Sequence, residues 1–148
     1  MSFAKFLVCE ESNRWTVALR WGFAQDHPQL VVSKNLDDCW QDLDLAPASF
    51  LALELNESNL ESIVERLQDV RNRFPFARAA VMCDRSFASC QWLVREAGAV
   101  HVAVSTRDIS TMSRLADRHF ALVLRPAVGI RQSVWNRLPW QQPSITRT

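Results

Sequence analysis

Residues 50–83 read FLALELNESNLESIVERLQDVRNRFPFARAAVMC and contain the clearest pattern in the chain. The middle of this stretch carries apolar residues at helical spacing: Leu60, Ile63, Val64, Leu67, Val70 and Phe74. The spacing predicts an amphipathic helix that the following proline ends, with Ser58 and Glu61 as a capping box at its start. Phe50–Leu55 and Ala79–Cys83 are apolar runs too short for helices, which is typical of strands buried on both faces. The stretch therefore predicts a parallel β-α-β unit.

The same alternation continues towards the N-terminus. Lys5–Cys9 and Leu30–Val32 are short apolar runs and are predicted to be strands. A helix is expected after the first run, with Ser12 or Asn13 as its N-cap. A second helix is predicted over Asn35–Leu43, where apolar residues again follow helical spacing.

The alternation also continues towards the C-terminus. Ser86–Ala97 is predicted to be a helix, and Gly98 stands where a helix is commonly terminated by glycine. Val100–Val104 is an apolar run that predicts a strand. Asp108–Val123 carries apolar residues at helical spacing and predicts the last helix.

Strand and helix thus alternate five times, which predicts an α/β fold. Because parallel strands need crossover connections, the sheet should be covered by helices on both faces, as a three-layer α/β/α sandwich. Right-handed crossovers restrict the possible topologies to a few. Five parallel strands favour the flavodoxin-like order 2-1-3-4-5, in which the functional crevice lies at the carboxyl ends of strands 1 and 3.

The bulk composition is that of an ordinary globular protein. The chain has 148 residues and a net charge of +1, so its overall charge points to neither nucleic acid nor a membrane. It has no apolar run of about 18 residues or more and no pattern of a secretory signal at its N-terminus. The four cysteines are dispersed without a CxxC pair and are predicted to be reduced, buried thiols. We therefore expect a cytoplasmic protein.

The composition changes near residue 124. Residues 124–148 contain four arginines and no acidic residue, together with three of the six prolines and two of the six tryptophans. We therefore expect a globular domain over residues 1–123 and a basic C-terminal tail over residues 124–148. The tail could pack on its own domain, on a second subunit or on another protein. Four arginines give little indication of nucleic-acid binding.

Acidic side chains follow three of the predicted strands. Glu10 and Glu11 follow the first strand, Glu54 lies near the end of the third, and Asp84 follows the fourth, whereas Ser105 follows the fifth. Because the carboxyl ends of parallel strands meet at one edge of a sheet, these side chains are expected to line one crevice. If the carboxylates are close together and no metal is bound, the pKa of one of them should be raised.

This arrangement resembles the receiver domains of bacterial response regulators over roughly residues 4–123. Phe6–Glu11 looks like the first strand and acid pair of that family. Leu51–Asn56 looks like its third strand, with Glu54 in the place of the phosphoacceptor aspartate. The run 96–99, Glu-Ala-Gly-Ala, matches the sequence that commonly leads from the family's fourth helix to its fifth strand. The resemblance implies a signalling domain of flavodoxin-like fold.

Several positions depart from the receiver pattern. Asp84 stands where the family has Thr or Ser, and Val102 stands in place of its switch aromatic. Ser105 and Thr106 replace the essential lysine and the proline after it. Phosphoryl transfer depends on electrostatic positioning, and this crevice lacks the cation and gains an acid. We therefore predict that normal aspartyl phosphorylation is absent.

Three roles remain open for the acidic residues. Glu54 could act as a permanent negative charge that imitates a phosphorylated acceptor. Glu10, Glu11 and Glu54 could instead bind Mg²⁺ or Ca²⁺, which prefer carboxylate oxygens. The acids could also be solvated remnants without a role. The corresponding alternative function is a divalent-metal-binding or flavodoxin-like enzyme that uses the crevice. Flavin is the weaker of these, because phosphate is held by backbone N–H groups in a loop that is acidic here.

No Ser-His-Asp or Cys-His constellation can be assembled from the sequence. We therefore predict a non-enzymatic module that binds other proteins and could form a homodimer, without a resident cofactor. In receivers, the face formed by the fourth helix, fifth strand and fifth helix commonly carries partner contacts. Trp and Arg are favoured interface anchors, and the residues expected at such an interface are Trp92, Arg95, Arg107 and Arg114, with Trp135 and Trp140 of the tail.

The remaining tryptophans and the crevice thiol carry further expectations. Trp15 and Trp40 lie on predicted apolar helix faces and should be buried. Trp21 lies off the apolar side of its helix and, like Trp92, should be partly exposed. Cys83 lies at the crevice, where acidic neighbours should raise the pKa of its thiol and reduce its reactivity.

Overall fold

Five parallel strands form one sheet in the order β2-β1-β3-β4-β5, as the strand–helix alternation predicts. The strands are β1 (Phe6–Cys9), β2 (Leu30–Ser33), β3 (Phe50–Glu54), β4 (Arg78–Met82) and β5 (His101–Ala103). The structure is a computed structural model that describes residues 4–22 and 29–123. The predicted tail, with Trp135 and Trp140, lies outside the described residues.

Helices cover both faces of the sheet, which confirms the three-layer α/β/α architecture. They are α1 (Arg14–Gly22), α2 (Leu36–Leu45), α3 (Leu60–Arg73), α4 (Gln91–Ala97) and α5 (Ile109–Val123). The apolar sides of α2, α3 and α4 pack on one face of the sheet, and those of α1 and α5 pack on the other. Among the described residues, no helix is both long and apolar enough to cross a membrane.

Alternation along the strands divides the buried side chains between these two faces. In β1, Leu7 and Cys9 belong to the cluster under α2, α3 and α4, whereas Phe6 and Val8 belong to the cluster under α1 and α5. The next residue in this second series is Glu10, which therefore lies on the α1 side of the sheet. In β3, Phe50 and Ala52 also belong to the cluster under α1 and α5. By the same alternation, the side chain of Glu54 lies on this side of the sheet as well.

The tryptophans are distributed as predicted. Trp15 is fully buried under α1 and Trp40 is almost fully buried under α2. Trp21 and Trp92 expose 86% and 66% of their surface. Two indole rings are therefore exposed to solvent on the described surface, one at the end of α1 and one on α4.

The segment before α4 is not the regular helix that was predicted over Ser86–Ala97. A 3-10 helix spans Arg85–Cys90, and the α-helix begins only at Gln91. The N–H of Phe87 bonds to the carbonyl of Asp84 with the three-residue spacing of a 3-10 turn. This stretch is rich in Ser, Phe and Cys, which favour a helix less than Leu, Glu or Arg do. Periodicity alone does not distinguish the two kinds of helix.

The capping box predicted at the start of α3 is also wrong. Asn59 is the N-cap residue, and Ser58 donates its hydroxyl to Asn56. The Asn59 side chain instead donates to the carbonyl of Glu54 and accepts from the N–H of Asn56. These bonds hold the loop between β3 and α3 in a compact turn beside Glu54.

Gly98 ends α4 as predicted, and its backbone requires glycine. Its φ of +132° lies in a region that residues with a Cβ atom rarely adopt. The Gly98 N–H bonds to the carbonyls of Val94 and Arg95. An added Cβ atom would lie 3.4 Å from the backbone carbonyl oxygen of Leu67, so the end of α4 also packs closely on α3.

Candidate functional site at the carboxyl ends of the strands

The strand register brings Glu10 and Glu54 side by side. Cys9 is opposite Leu53 in the sheet, so the residues that follow them are also neighbours. A cavity of about 340 Å³ opens beside this pair, between the sheet and the first turns of α2 and α3. Glu10, Glu11 and Glu54 line it, and so do polar residues of the two helices and of the loops before them: Lys34, Asn35, Asp37, Asn56, Asn59, Ser62, Glu65 and Arg66.

Glu10 is part of the structure of helix α1. Only 2% of its surface is exposed, and its carboxylate accepts hydrogen bonds from the N–H groups of Trp15 and Thr16 and from the Thr16 hydroxyl. These N–H groups belong to the first turn of α1, which has no partners for them within the helix. Glu10 therefore performs the side-chain capping expected of Ser12 or Asn13, and a carboxylate there also interacts favourably with the helix dipole.

Glu54 is held by the loop between β1 and α1. Its carboxylate accepts a hydrogen bond of 3.2 Å from the N–H of Glu11 and one of 3.4 Å from the Ser12 hydroxyl. The Ser12 hydroxyl thus bonds to Glu54 across the crevice and not to the start of α1. The residue in the predicted acceptor position is already bonded to two donors of the same domain.

Asp84 is paired with the arginine that begins α1. The Arg14 guanidinium lies 2.7 Å from its carboxylate and 5.1 Å from the ring centre of Trp15. Both partners of the ion pair are more than half exposed, so the pair adds little stability but neutralises the added acid. The sequence argument missed Arg14, because it looked for a cation only at the end of strand 5. Its position four residues after Glu10, at the start of α1, was the available signal.

Ser105 faces its own loop and not the acidic residues. Its hydroxyl accepts a hydrogen bond of 3.2 Å from the N–H of Arg107 and caps a short 3-10 helix, Thr106–Asp108. The cavity beside Glu10 and Glu54 is not lined by Ser105 or Asp84. The cavity is therefore lined by three of the five predicted pocket residues and not by the other two.

The geometry does not support the predicted metal site of Glu10, Glu11 and Glu54. Among residues 4–22 and 29–123, no group of three His, Cys, Asp or Glu side chains is placed to hold a metal ion. The physical reason is that the Glu10 carboxylate is directed into the first turn of α1, where both of its oxygens accept hydrogen bonds. The Glu54 oxygens are likewise bonded to the loop.

Burial raises the pKa of Glu54 above its ordinary value. Glu10 adds to this increase in pKa by repulsion, while the hydrogen bonds from Glu11 and Ser12 act against it. This agrees with the expectation that crowding would raise the pKa of one acid in the crevice. Burial, followed by repulsion from Asp84, also raises the pKa of the Cys83 thiol to about 11, so the thiol stays protonated and weakly reactive.

Glu54→Gln should become more stable relative to the wild type as the pH rises. Because the folded protein holds the Glu54 proton more tightly than the unfolded chain, the associated stability is present below the ordinary pKa of 4.5 and is lost as the pH rises through the higher folded value. The variant does not titrate, so its advantage should be absent near pH 4 and present near pH 7. Urea unfolding at both pH values measures this. Glu57→Gln, at an exposed site of the next loop, is the control, and an equal response of both variants would contradict the assignment.

The arginines and the tryptophan of the predicted interface lie on one side of the domain. Trp92 and Arg95 are exposed on α4, Arg107 is exposed before α5, and Arg114 is exposed on α5. Within the described part of the chain, none of the three arginines takes part in an ion pair.

Solved structures with the same fold are receivers. One is a response regulator from Thermotoga maritima, with a TM-score of 0.67 and 15% identity over 82% of this chain and 99% of that one. Another is a CheY-like protein (tadZ) from Pseudomonas aeruginosa PAO1, with a TM-score of 0.65 and 19% identity over 78% of this chain and 98% of that one. No protein-family model and no curated protein matches the chain. The likeness confirms a receiver fold.

Proposed function

We propose that this receiver-fold domain is a signalling module that binds other proteins without aspartyl phosphorylation and without catalysis of its own. The observation that carries the proposal is the internal saturation of the crevice. Glu10 caps α1, Glu54 is bonded to the loop between β1 and α1, and Asp84 is paired with Arg14. Each of these carboxylates is thus already bonded to another group of the domain.

Phosphorylation of Glu54 has two electrostatic requirements that these contacts do not meet. A divalent metal must screen the donor's charge, and a cation must hold the phosphoryl oxygens as charge develops. Metal binding is opposed by the position of Glu10, because its carboxylate oxygens accept hydrogen bonds from the first turn of α1. The requirement for a cation is not met at the end of β5. Ser105 stands there in place of the family's lysine, and its hydroxyl accepts a hydrogen bond from the N–H of Arg107.

The same contacts support a single, constitutive state of the crevice. The loop between β1 and α1 is bonded to Glu54 at the end of β3, and Arg14 at the start of α1 is paired with Asp84 after β4. In a phosphorylated domain, a new charge would reorganise such loops. Here the permanent carboxylate of Glu54 already accepts hydrogen bonds from the loop between β1 and α1. The domain therefore holds its shape without an incoming phosphoryl group.

Binding to a partner is assigned to the face formed by α4, β5 and α5. An exposed tryptophan beside unpaired arginines is the composition of an interface anchor, and Trp92 lies on α4 with Arg95 one turn away. The partner should present an acidic surface with an apolar recess for the indole ring. The partner is either a second copy of the chain or a different protein.

The absence of phosphorylation is tested with acetyl phosphate and Mg²⁺. We expect the intact mass of the protein to stay unchanged, while a phosphorylation-competent receiver in the same tube gains one phosphoryl group. A stable adduct on the wild type that disappears in Glu54→Gln would overturn the proposal. An adduct that persists in Glu54→Gln would show modification elsewhere and would also count against a crevice that excludes phosphoryl donors.

A further inference from the structure

Three large apolar side chains are exposed at the amino edge of the sheet, the edge where the strands begin and which lies opposite the crevice. Leu45 is the last residue of α2, Phe76 lies between α3 and β4, and Leu122 is close to the end of α5. They expose 76%, 65% and 66% of their surface, respectively. Each helix runs back along the strand before it, so the helix ends and the strand starts share this edge. We call these three residues the amino-edge cluster.

An ion pair joins the elements that carry Leu45 and Phe76. The guanidinium of Arg73, at the end of α3, lies 3.6 Å from the carboxylate of Asp44, at the end of α2. Leu45 is the residue after Asp44, and Phe76 follows Arg73 by three residues. The two exposed apolar side chains are therefore carried by adjoining chain segments.

A contact across the sheet edge brings the end of α5 to the same place. The ring nitrogen Nε2 of His119 lies 2.6 Å from the carbonyl oxygen of Ala48, in the loop that begins directly after Leu45. Leu122 is three residues after His119 and is thus its neighbour on the helix surface. Single exposed apolar residues are normal on a protein, but grouped ones mark a surface that another segment covers.

Trp21 does not belong to this cluster. The residue after it, Gly22, lies against the first turns of α5, because an added Cβ atom would be 2.9 Å from Cγ2 of Ile109 and 3.5 Å from the hydroxyl of Ser113. At 1.5 Å per residue, Ile109 and Leu122 are about 20 Å apart along the helix. The Trp21 indole is therefore near the start of α5 and not near its end.

We propose that the C-terminal tail, residues 124–148, folds back on its own domain and packs Trp135 and Trp140 on the amino-edge cluster. The described part of the chain ends at Val123, next to one member of the cluster. The tail therefore starts at the surface that it covers. The proposal is independent of the proposed function, since it assigns the tail tryptophans to the domain itself and leaves the face with Trp92 to the partner.

The tail is long enough to make this contact. Trp135 follows Val123 by 12 residues, and an extended chain of that length spans about 40 Å. A domain of this size has a radius of gyration of about 14 Å. Both tryptophans can therefore reach every member of the amino-edge cluster without strain on the connection.

The composition of the tail suits an apolar surface on a weakly acidic domain. Six large apolar side chains lie in the middle of the tail: Val128, Ile130, Val134, Trp135, Leu138 and Trp140. The chain has 17 basic and 16 acidic residues, and the tail holds four arginines and no acid. Residues 1–123 therefore carry a net charge of −3 and the tail a charge of +4, so the two attract each other.

Concentration favours the cluster's own tail over that of a second copy. A segment on a short flexible connection has an effective concentration of about 1 mM, which is about 100-fold above that of a second copy at about 10 μM. The intramolecular contact should therefore form first, at any protein concentration.

Trypsin digestion of the full chain tests the proposal. The bond after Arg137 lies between the two tryptophans. Because cleavage follows the population of the open form, it should be cut at least about 10-fold more slowly in the wild type than in a synthetic peptide of residues 124–148. Phe76→Ser/Leu122→Ser should remove this protection. Val17→Ser replaces an exposed apolar residue of α1 and is the matched control, which should stay protected.

Hydroxyl-radical labelling provides a second measurement that leaves the described domain unchanged. In the full-length variant Trp135→Ala/Trp140→Ala, labelling of Phe76 and Leu122 should rise above that of the wild type. Labelling of Val17 should stay the same in both proteins. This measurement decides the outcome if the variant Phe76→Ser/Leu122→Ser fails to fold.

Four results would overturn the proposal. In the first, the bond after Arg137 is cut as fast in the wild type as in the peptide. In the second, Phe76→Ser/Leu122→Ser changes the cleavage rate no more than Val17→Ser does. In the third, labelling of Phe76 and Leu122 does not respond to loss of the tail tryptophans. In the fourth, protection grows with protein concentration and a dimer is seen by sedimentation, which would assign the cluster to a second copy.

Discussion

Replacing Glu10 with alanine should lower the free energy of unfolding by about 3 kcal/mol. The change leaves the N–H groups of Trp15 and Thr16 and the Thr16 hydroxyl without their acceptor in a buried place. A lost cap costs about 0.5–2 kcal/mol, and buried unpaired polar groups cost about 1–3 kcal/mol. Urea unfolding should show a lower midpoint with an unchanged slope.

Two variants test whether capping by Glu10 is the cause. Glu11→Ala removes a neighbouring carboxylate that is exposed, and its free energy of unfolding should change by no more than about 0.5 kcal/mol. Glu10→Gln keeps one oxygen that can accept a hydrogen bond, so it should lose about half as much stability as Glu10→Ala. Equal losses in Glu10→Ala and Glu11→Ala would show that general crevice charge, and not the capping of α1, is responsible.

Replacing Trp92 with alanine should weaken binding of the physiological partner by about 30-fold, which corresponds to about 2 kcal/mol. Trp92 is exposed by 66% in the isolated domain, so its ring gains new burial only when a partner covers it. The partner is first captured from the native cell with the wild-type protein, and dissociation constants are then measured by calorimetry with purified components.

Trp21→Ala is the matched control for this experiment. Trp21 is even more exposed, at 86%, but it lies at the end of α1, a helix that is not one of the three elements of the proposed face. We expect the Trp21 variant to bind as the wild type does. We also expect both variants to unfold within about 0.5 kcal/mol of it, because neither ring is packed in the core. If Trp21→Ala weakens binding and Trp92→Ala does not, the partner docks on the α1 side of the domain.

The strand order and the two-sided core could be predicted because they depend on short-range patterns. The apolar helix positions from Leu60 to Phe74 and the apolar runs on either side of them suffice to define a β-α-β unit. Repetition of this strand–helix alternation along the chain then predicts the five-stranded sheet. Trp15 and Trp40 were predicted to be buried for the same reason, since their helical spacing shows the side they occupy. Such periodicity is set by backbone geometry and does not depend on the details of packing.

The partners of individual polar side chains could not be predicted in this way. Glu10 follows a strand and would be equally suitable as a metal ligand, and only its period-two position on the α1 side directs it into the helix. Arg14 reaches Asp84 across 70 residues of sequence, and no local pattern contains that information. The 3-10 helix at Arg85–Cys90 differs from an α-helix by one residue in hydrogen-bond spacing, which is less than a periodicity argument resolves.

The capping role of Glu10 sets a limit on any attempt to engineer phosphotransfer into this crevice. Glu54→Asp and Ser105→Lys would introduce the acid and the cation that the receiver pattern has at these positions, yet a metal would still need the carboxylate that stabilises α1. Withdrawing that carboxylate would destabilise the helix. A second acceptor for the α1 amides, such as one supplied by Asn13→Asp, would have to be introduced before the catalytic substitutions. The order in which such substitutions can be made without loss of stability is therefore set by one helix cap.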